Sequence, residues 1–488
     1  MLDTLNRHLV LPLLAAKRRS KVFQYLRELE RTQYESPESV RARQLRLLQA
    51  QLRHAFATVP YYRRTWAAAG VHPEDVKTLD DLRHFPVLTK ADIRAHTAEL
   101  HSEAYQGSEK VRTKTTSGST GVPLAIRLDE PGAQWKTACT IRADQWSGYR
   151  LGQRVAKVWG NPEYRHFGLR GRLMNAVVDR AVYLDTIGLT EGRIKEFVAR
   201  LRRHRPGLLF GHAHSLYLLA CALKKANIDD IRPNGIVSTA MPLHDYQRTV
   251  IEAVFGVPAT NRYGCEEVSL IACQCEKSAG LHVAAESVFA EVQASRPSDG
   301  AGSSETRPIT DAARQTKSSS ETRPITGAAR QEPLAGPLLL TDLSNFAMPL
   351  IRYKVGDVVT MSGRPCSCGR GLPTIETVEG RDADYVVTPA GALISGISLT
   401  ENFAVLIPGA AQVQLIQETV THLRVRMVTD DRFTDASRAR VARLVTDTFG
   451  PTMRHDLELV DAIPQEPSGK YRFCVSKVAA EYMRGLSA

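Results

Sequence analysis

The residues of this chain whose types and spacing suit chemistry fall into five short motifs and one cluster of cysteines. The first motif is TTSGSTGVP, residues 115–123. Gly118 and Gly121 allow close backbone approach to a ligand, and Thr116, Ser117, Ser119 and Thr120 add hydroxyl donors, a composition suited to wrapping phosphate oxygens or to an ordinary turn. It is not a Walker A loop, because no Gly-Lys-Ser/Thr follows. In NRYGCEEV, residues 261–268, Tyr263 and Gly264 offer a flat face to a purine, while Glu266 and Glu267 offer the hard oxygens that Mg²⁺ prefers. In RYKVGD, Asp357 follows Gly356 and is placed either to accept from two ribose hydroxyls or to close a turn. GRDAD (380–384) and the Lys470 of PSGKYR complete the set.

The cysteines form a second constellation. Cys273, Cys275 and His282 precede Cys366 and Cys368 in CSCG. A Cys-X6-His pair and a Cys-X-Cys pair can supply the four N/S ligands of a structural zinc, although the spacing is not that of a finger or ribbon; buried thiols are the other reading. Clustered cysteines in a large chain point to metal rather than to a disulfide framework, and hence to a reducing, cytoplasmic setting.

Elements must position these groups. The 488 residues, 43% hydrophobic and 24% charged, exclude a fibrous or wholly disordered chain. Apolar residues recur at helical spacing over 20–57, then VPYYRRTW leads into a second helical stretch to about Leu100. From 135 to 260 helical patterns alternate with short apolar runs such as 207–210 and 235–239, an α/β organisation. Residues 294–336 break the pattern: SETRPITDAARQ (304–315) returns as SETRPITGAARQ (320–331), two copies with little to bury, expected to be a disordered surface insertion. After 381, strands at 413–418 and 423–428, a helix at 437–449 and a strand at 457–460 suggest a small α+β module.

The net charge of +12 is dispersed, without the aromatic-basic interleaving of nucleic-acid binders. No apolar run reaches the ~20 residues of a membrane span. The short apolar stretch His8–Ala16 has its basic residues behind it, unlike a signal peptide, and reads as an amphipathic helix on the body or in weak contact with a membrane surface.

Taken together and in order, HAFATVPYYRRTW, TTSGSTGVP, RYGCEE, TDLSNFAMPLIRYKVGD, CSCGRGLPTIETVEGRDAD and SGKYR resemble the adenylate-forming (ANL) superfamily, specifically its phenylacetate–CoA ligase and CapK-like branch. The resemblance covers nearly the whole chain outside the insertion. It implies a large α/β body of sheets flanked by helices (1–381) and a small α+β lid (382–488). It implies an acid–thiol ligase that converts ATP and a carboxylic acid, aryl or arylacetic, to acyl-AMP and then passes the acyl group to coenzyme A. An amide ligase using an amine acceptor and a non-catalytic nucleotide-binding scaffold are the alternatives.

By that resemblance Thr116, Ser117, Gly118, Ser119, Thr120 and Gly121 cradle ATP phosphates, Ala240, Tyr263 and Gly264 meet the adenine, Asp357 binds ribose, and Arg381 binds ribose or phosphate near the hinge. Glu267 would hold Mg²⁺, Asp384 would be the hinge, and Lys470 would bridge the carboxylate and α-phosphate. Some relatives carry a similar Cys/His set, which implies a structural Zn²⁺ on Cys275, His282, Cys366 and Cys368, with Cys273 spare, stapling two loops across the insertion. Two positions depart from the pattern: Glu266 adds a negative charge before the metal glutamate, and Ala240-Met241-Pro242 lacks the usual acid. His212 and His214 either line the acyl pocket or are structural. A monomer or homodimer is expected, with no nucleic-acid partner and no transmembrane segment.

Overall fold

Ser36 and Pro37 decide the first fold boundary. The periodicity of 20–57 reads as one helical region, but the chain forms two helices, Val22–Thr32 and Pro37–Thr58. Pro37 fits only the first turn of a helix and forces the residue before it out of helical geometry; Ser36, extended at ψ 154°, then caps by accepting from the Ser39 N–H. The computed structural model describes residues 2–115, 124–159, 168–184, 191–293, 322–323, 334–379, 385–391, 393–396, 399, 403, 406–463 and 473–479.

Among these residues one sheet of twelve strands runs the length of the body. Its parallel half orders 181–184, 155–158, 208–212, 235–239 and 259–265. Its antiparallel half continues through 269–274, 281–283, 374–379, 353–361, 334–342 and 288–293 to the two-residue strand 322–323. The parallel strands read as continuous apolar runs because helices 191–204, 213–225 and 245–255 contribute to the core around them. The antiparallel half buries its apolar side against helices 37–58 and 60–69 through Leu48, Leu52, Tyr62 and Trp66. Strand Leu334–Asp342 begins inside the stretch expected as insertion, because Leu334–Gly336 pair with Val359–Met361. Apart from Thr322 and Arg323, the duplicated segment 304–331 lies outside the described residues.

The C-terminal unit has its own core. Strands 454–459, 422–429, 410–419 and 474–476 form a four-stranded sheet, a hairpin pairs 385–387 with 393–395, and helix Asp435–Phe449 adds Val441, Val445 and Phe449 to the apolar cluster. The protein is therefore α/β, with a large sheet flanked by helices and a smaller α+β sheet unit. No described helix is long and apolar enough to cross a membrane.

Candidate active site and metal centre

In open α/β sheets, ligand chemistry gathers beyond the carboxyl ends of parallel strands. Here those ends present Trp159, His212, Ala240 and Tyr263. Ala240 leaves its strand at φ +69°, a left-handed conformation that a side-chain-bearing residue holds only where its surroundings impose it. Tyr263 and Gly264 sit at a register shift between strands 259–265 and 269–274. A Cβ on Gly264 would lie 2.5 Å from the Ser269 carbonyl oxygen, so the close approach of the two strands requires glycine there.

Asp357 and Tyr353 lie four residues apart on strand Tyr353–Met361 and so share a face. Each meets the motif of residues 261–268. The Tyr263 hydroxyl donates to Asp357 Oδ2 at 2.7 Å, and the Tyr353 hydroxyl donates to Glu267 Oε1 at 2.9 Å. Three strands separate 353–361 from 259–265 within the sheet, so these contacts require it to curl. The curled strand is tied down by motifs far away in sequence. The Tyr62 hydroxyl donates to the Pro349 carbonyl at 2.9 Å and accepts from the Ile351 N–H at 3.1 Å. Arg352, buried at φ +51°, pairs with Glu291 at 3.3 Å.

Glu267 is the most strongly constrained acid of the group. Burial alone pushes its carboxyl up, but the Lys90 ammonium, a backbone N–H and the Tyr353 hydroxyl outweigh that cost and hold it below the ordinary carboxylate range. Lys90 Nζ lies 3.7 Å from Glu267. Its position follows from local chemistry: Thr89 caps helix Lys90–Ala95, while the Leu88 N–H and C=O bond Arg352 and Lys354 at 3.1 and 2.9 Å, docking this segment beside strand 353–361. Glu266, the departure with extra charge, is neutralised by Lys114 at 2.5 Å, from the strand Val111–Thr115.

Two supporting residues carry no signal in the sequence. Lys90 is one; Lys136 is the other. From helix Glu130–Gln145, Lys136 pairs with fully buried Asp342 at 2.9 Å and donates to the Val268 carbonyl at 2.9 Å, fixing the turn that carries Glu267. A lysine within an otherwise mixed helix gives no local sign of this. Lys136→Met would leave Asp342 buried without its cation, an expected loss of ~3–5 kcal/mol, readable as a lower urea midpoint.

His212 and Trp159 pack with ring centroids 3.9 Å apart. Burial lowers the His212 pKa to about 4, so the ring is neutral, and among the described residues neither ring nitrogen has a hydrogen-bond partner. His214 Nδ1 lies 3.5 Å from the Gln247 amide. Among the other expected site residues, Thr116, Ser117, Gly118, Ser119, Thr120, Gly121, Arg381, Asp384 and Lys470 lie outside the described residues.

A second centre lies on another part of the sheet. One ligand atom from each of Cys275, His282, Cys366 and Cys368 lies within 4.8 Å of the others. Cys275 follows strand 269–274, His282 lies on 281–283, and the turn carrying Cys366 and Cys368 returns into 374–379, whose Thr374 pairs with His282. The 3.7 Å between the Cys275 and Cys366 sulfurs is the edge of a tetrahedron whose centre is about 2.3 Å from each sulfur, the zinc–thiolate length. His282 Nδ1 faces the Leu372 carbonyl at 3.3 Å, which leaves Nε2 directed to Cys368 Sγ at 3.2 Å. Burial first, against that carbonyl contact, lowers the His282 pKa to about 4, keeping it a neutral ligand. The donor set and its spacing fit a structural zinc. Cys273 is outside the cluster, its sulfur 3.9 Å from the Ala143 carbonyl.

Comparison with known proteins adds to this geometry. Residues 386–477 match the CapK C-terminal domain model. A phenylacetate-coenzyme A ligase of Thermus thermophilus is 23% identical over 462 residues, covering 89% of this chain and 96% of that one. Protein CapK of Staphylococcus aureus is 20% identical, covering 82% and 81%. In fold, the chain is similar to 2-hydroxyisobutyryl-CoA ligase in complex with 2-HIB-AMP and CoA: TM-score 0.58, 20% identity and 94% of each chain covered.

Proposed function

Because this chain is a homologue of the phenylacetate–CoA ligases and of CapK and has the adenylate-forming (ANL) fold, we propose that it is an AMP-forming acid–CoA ligase acting on an aryl or arylacetic acid. The observation that carries this reading is the joining of Tyr263 to Asp357, beside a buried Glu267 held as carboxylate, at the carboxyl edge of the parallel strands.

In the first half-reaction a carboxylate oxygen attacks the α-phosphorus of ATP, forming the acyl–phosphate bond as pyrophosphate leaves. Residues 116–121 hold the phosphates, Ala240, Tyr263 and Gly264 face the adenine, Asp357 holds the ribose, and Arg381 holds ribose or phosphate. Glu267 would hold Mg²⁺, which offsets triphosphate charge. Two anions must meet, and Lys470 between them stabilises the charge that builds. In the second half-reaction the thiolate of CoA attacks the acyl carbonyl and AMP leaves. The unit from 382 onward acts as a lid turning about Asp384, withdrawing Lys470 so that the thiol can enter. Cys275, His282, Cys366 and Cys368 would hold a structural zinc that braces the body, away from the reacting atoms. None of the eight cysteines is in a disulfide, which accords with a cytoplasmic setting.

The test is pyrophosphate release from ATP over a panel of aryl, arylacetic and fatty acids, each without acceptor, with CoA and with amines. Release that depends on an aryl or arylacetic acid and accelerates with CoA is expected. Acceleration by an amine alone would make the protein an amide ligase, and ATP binding with no release across the panel would favour a scaffold.

Two substitutions probe the metal glutamate. Glu267→Gln keeps an acceptor for Tyr353 but removes the charge, and should lower acid-dependent release about 10²-fold. Lys90→Met removes the main influence that opposes burial, so the Glu267 carboxyl should titrate higher. The acidic limb of the activity profile, where the carboxylate is lost as pH falls, should then move to higher pH.

A further inference from the structure

Two helices that the ligase chemistry does not use form an exposed apolar face. The first runs from Leu2 to Lys17 with a π turn at Asn6–Val10; the second runs from Gly168 to Asp179 with a π turn at Asn175–Asp179. They meet at those turns, where buried Asn6 donates to the Val177 carbonyl at 2.5 Å, and Arg180 ties the two segments through Asp3 at 2.7 Å. With the inner faces joined, Leu2, Leu5, Leu9 and Leu13 form one outward stripe and Leu169, Leu173 and Val177 another, each at helical spacing. These seven are most of the eleven large hydrophobic side chains exposed among the described residues, with Leu169 88% exposed. Concentration of exposed apolar area in one place marks an interaction surface.

Charge selects the partner. The segments 2–19 and 168–180 hold seven Arg or Lys and two Asp. A cavity of about 620 Å³ is lined both by Leu2, Leu5 and Val177 of this face and by Arg200, Arg203 and His204. Neither Arg200 nor Arg203 has a carboxylate partner among the described residues. A two-fold contact between copies of the chain would set this cationic face against itself. A nucleic acid would leave the leucine stripes in water. An anionic bilayer satisfies both features: leucines enter the interface while the arginines and lysines meet phosphate headgroups.

We propose that this paired-helix face docks the protein peripherally on the surface of an anionic lipid bilayer, with the Arg200–Arg203 cavity taking an acidic phospholipid headgroup. The proposal is independent of the ligase assignment, because its test needs neither acid nor ATP.

The full chain would be sedimented with phosphatidylglycerol–phosphatidylcholine vesicles and with phosphatidylcholine vesicles, at low and high salt. Binding to the anionic vesicles, weakened by salt, is expected. The four-site variant Leu9→Ser, Leu13→Ser, Leu169→Ser, Leu173→Ser should lower partitioning about tenfold or more. These side chains are solvent-exposed, so its thermal melting without vesicles should match the parent. Arg200→Gln with Arg203→Gln should also cost about tenfold, on anionic vesicles alone. Equal affinity for neutral vesicles, no binding by the parent chain, or unchanged binding by both variants would overturn the proposal. So would a dimer in analytical ultracentrifugation that the leucine variant dissolves while vesicle binding stays absent.

Discussion

Lys470→Ala is expected to lower acid-dependent pyrophosphate release about 10²–10³-fold while leaving ATP binding nearly intact. The asymmetry follows from when the charge is needed. On the proposed reading the nucleotide would already be held by residues 116–121, by Tyr263 and Asp357, and by the region of Glu267, so Lys470 would add little to ATP binding. As the carboxylate oxygen approaches the α-phosphorus, two anions are pressed together, and a fixed cation between them would be worth ~3–4 kcal/mol. A loss expressed in turnover rather than in nucleotide affinity is therefore the signature. Single-turnover acyl-AMP formation, followed alongside nucleotide binding by calorimetry, separates the two. Unaltered release in the variant would remove Lys470 from the adenylation step. An equal loss in ATP affinity would make it a ground-state binding residue instead.

The second large effect concerns stability. Metal analysis should find about one zinc per chain, and Cys275→Ser or Cys368→Ser should abolish it. The cluster joins strand 281–283, the end of strand 269–274 and the turn before 374–379, all within the antiparallel half of the sheet. Beside it Arg370 bonds Gln33 at 3.0 Å and Glu276 at 2.9 Å, and lies over Trp146 at 4.7 Å. Three close sulfurs and an imidazole, partly buried and without an ion, would hold several unpaired polar atoms together. Free zinc at a thousand times its dissociation constant stabilises the native chain by ~4 kcal/mol through linkage. Chelation should thus lower the unfolding midpoint and render Cys275, Cys366 and Cys368 reactive to thiol reagents together. Cobalt(II) in its place should show the absorption of a tetrahedral sulfur site. Fully folded, metal-free protein with an unchanged midpoint would leave the four residues as ordinary core groups.

These two tests probe different products of the same sequence. The order of residue types was legible directly: a hydroxyl- and glycine-rich run, an aromatic-glycine-acid run, an aspartate after glycine and a late lysine follow one another in a way that resembles adenylate-forming enzymes. Local patterning also located the C-terminal strands and helix, where the observed elements 410–419, 422–429, 435–449 and 454–459 overlap those expected. Even the missed break between the first two long helices was written locally, in Ser36-Pro37, and was lost only because the apolar period on both sides looks continuous.

Tertiary structure alone decided the company each group keeps. Tyr263 and Asp357 are 94 residues apart, and Cys275 and Cys366 are 91 apart. Alternation and helical period determine which way a side chain faces within its own element; they carry no information on which distant strand that face will meet. That is set by strand order and by the curl of the sheet, which brings strand 353–361 back to the motif of residues 261–268. The same limit hid Lys90 and Lys136. A lysine on a short helix or in a mixed one reads as solvated, and it becomes a determinant of the site only when long-range packing buries it against Glu267 or Asp342, because desolvation is what gives a charge pair its influence.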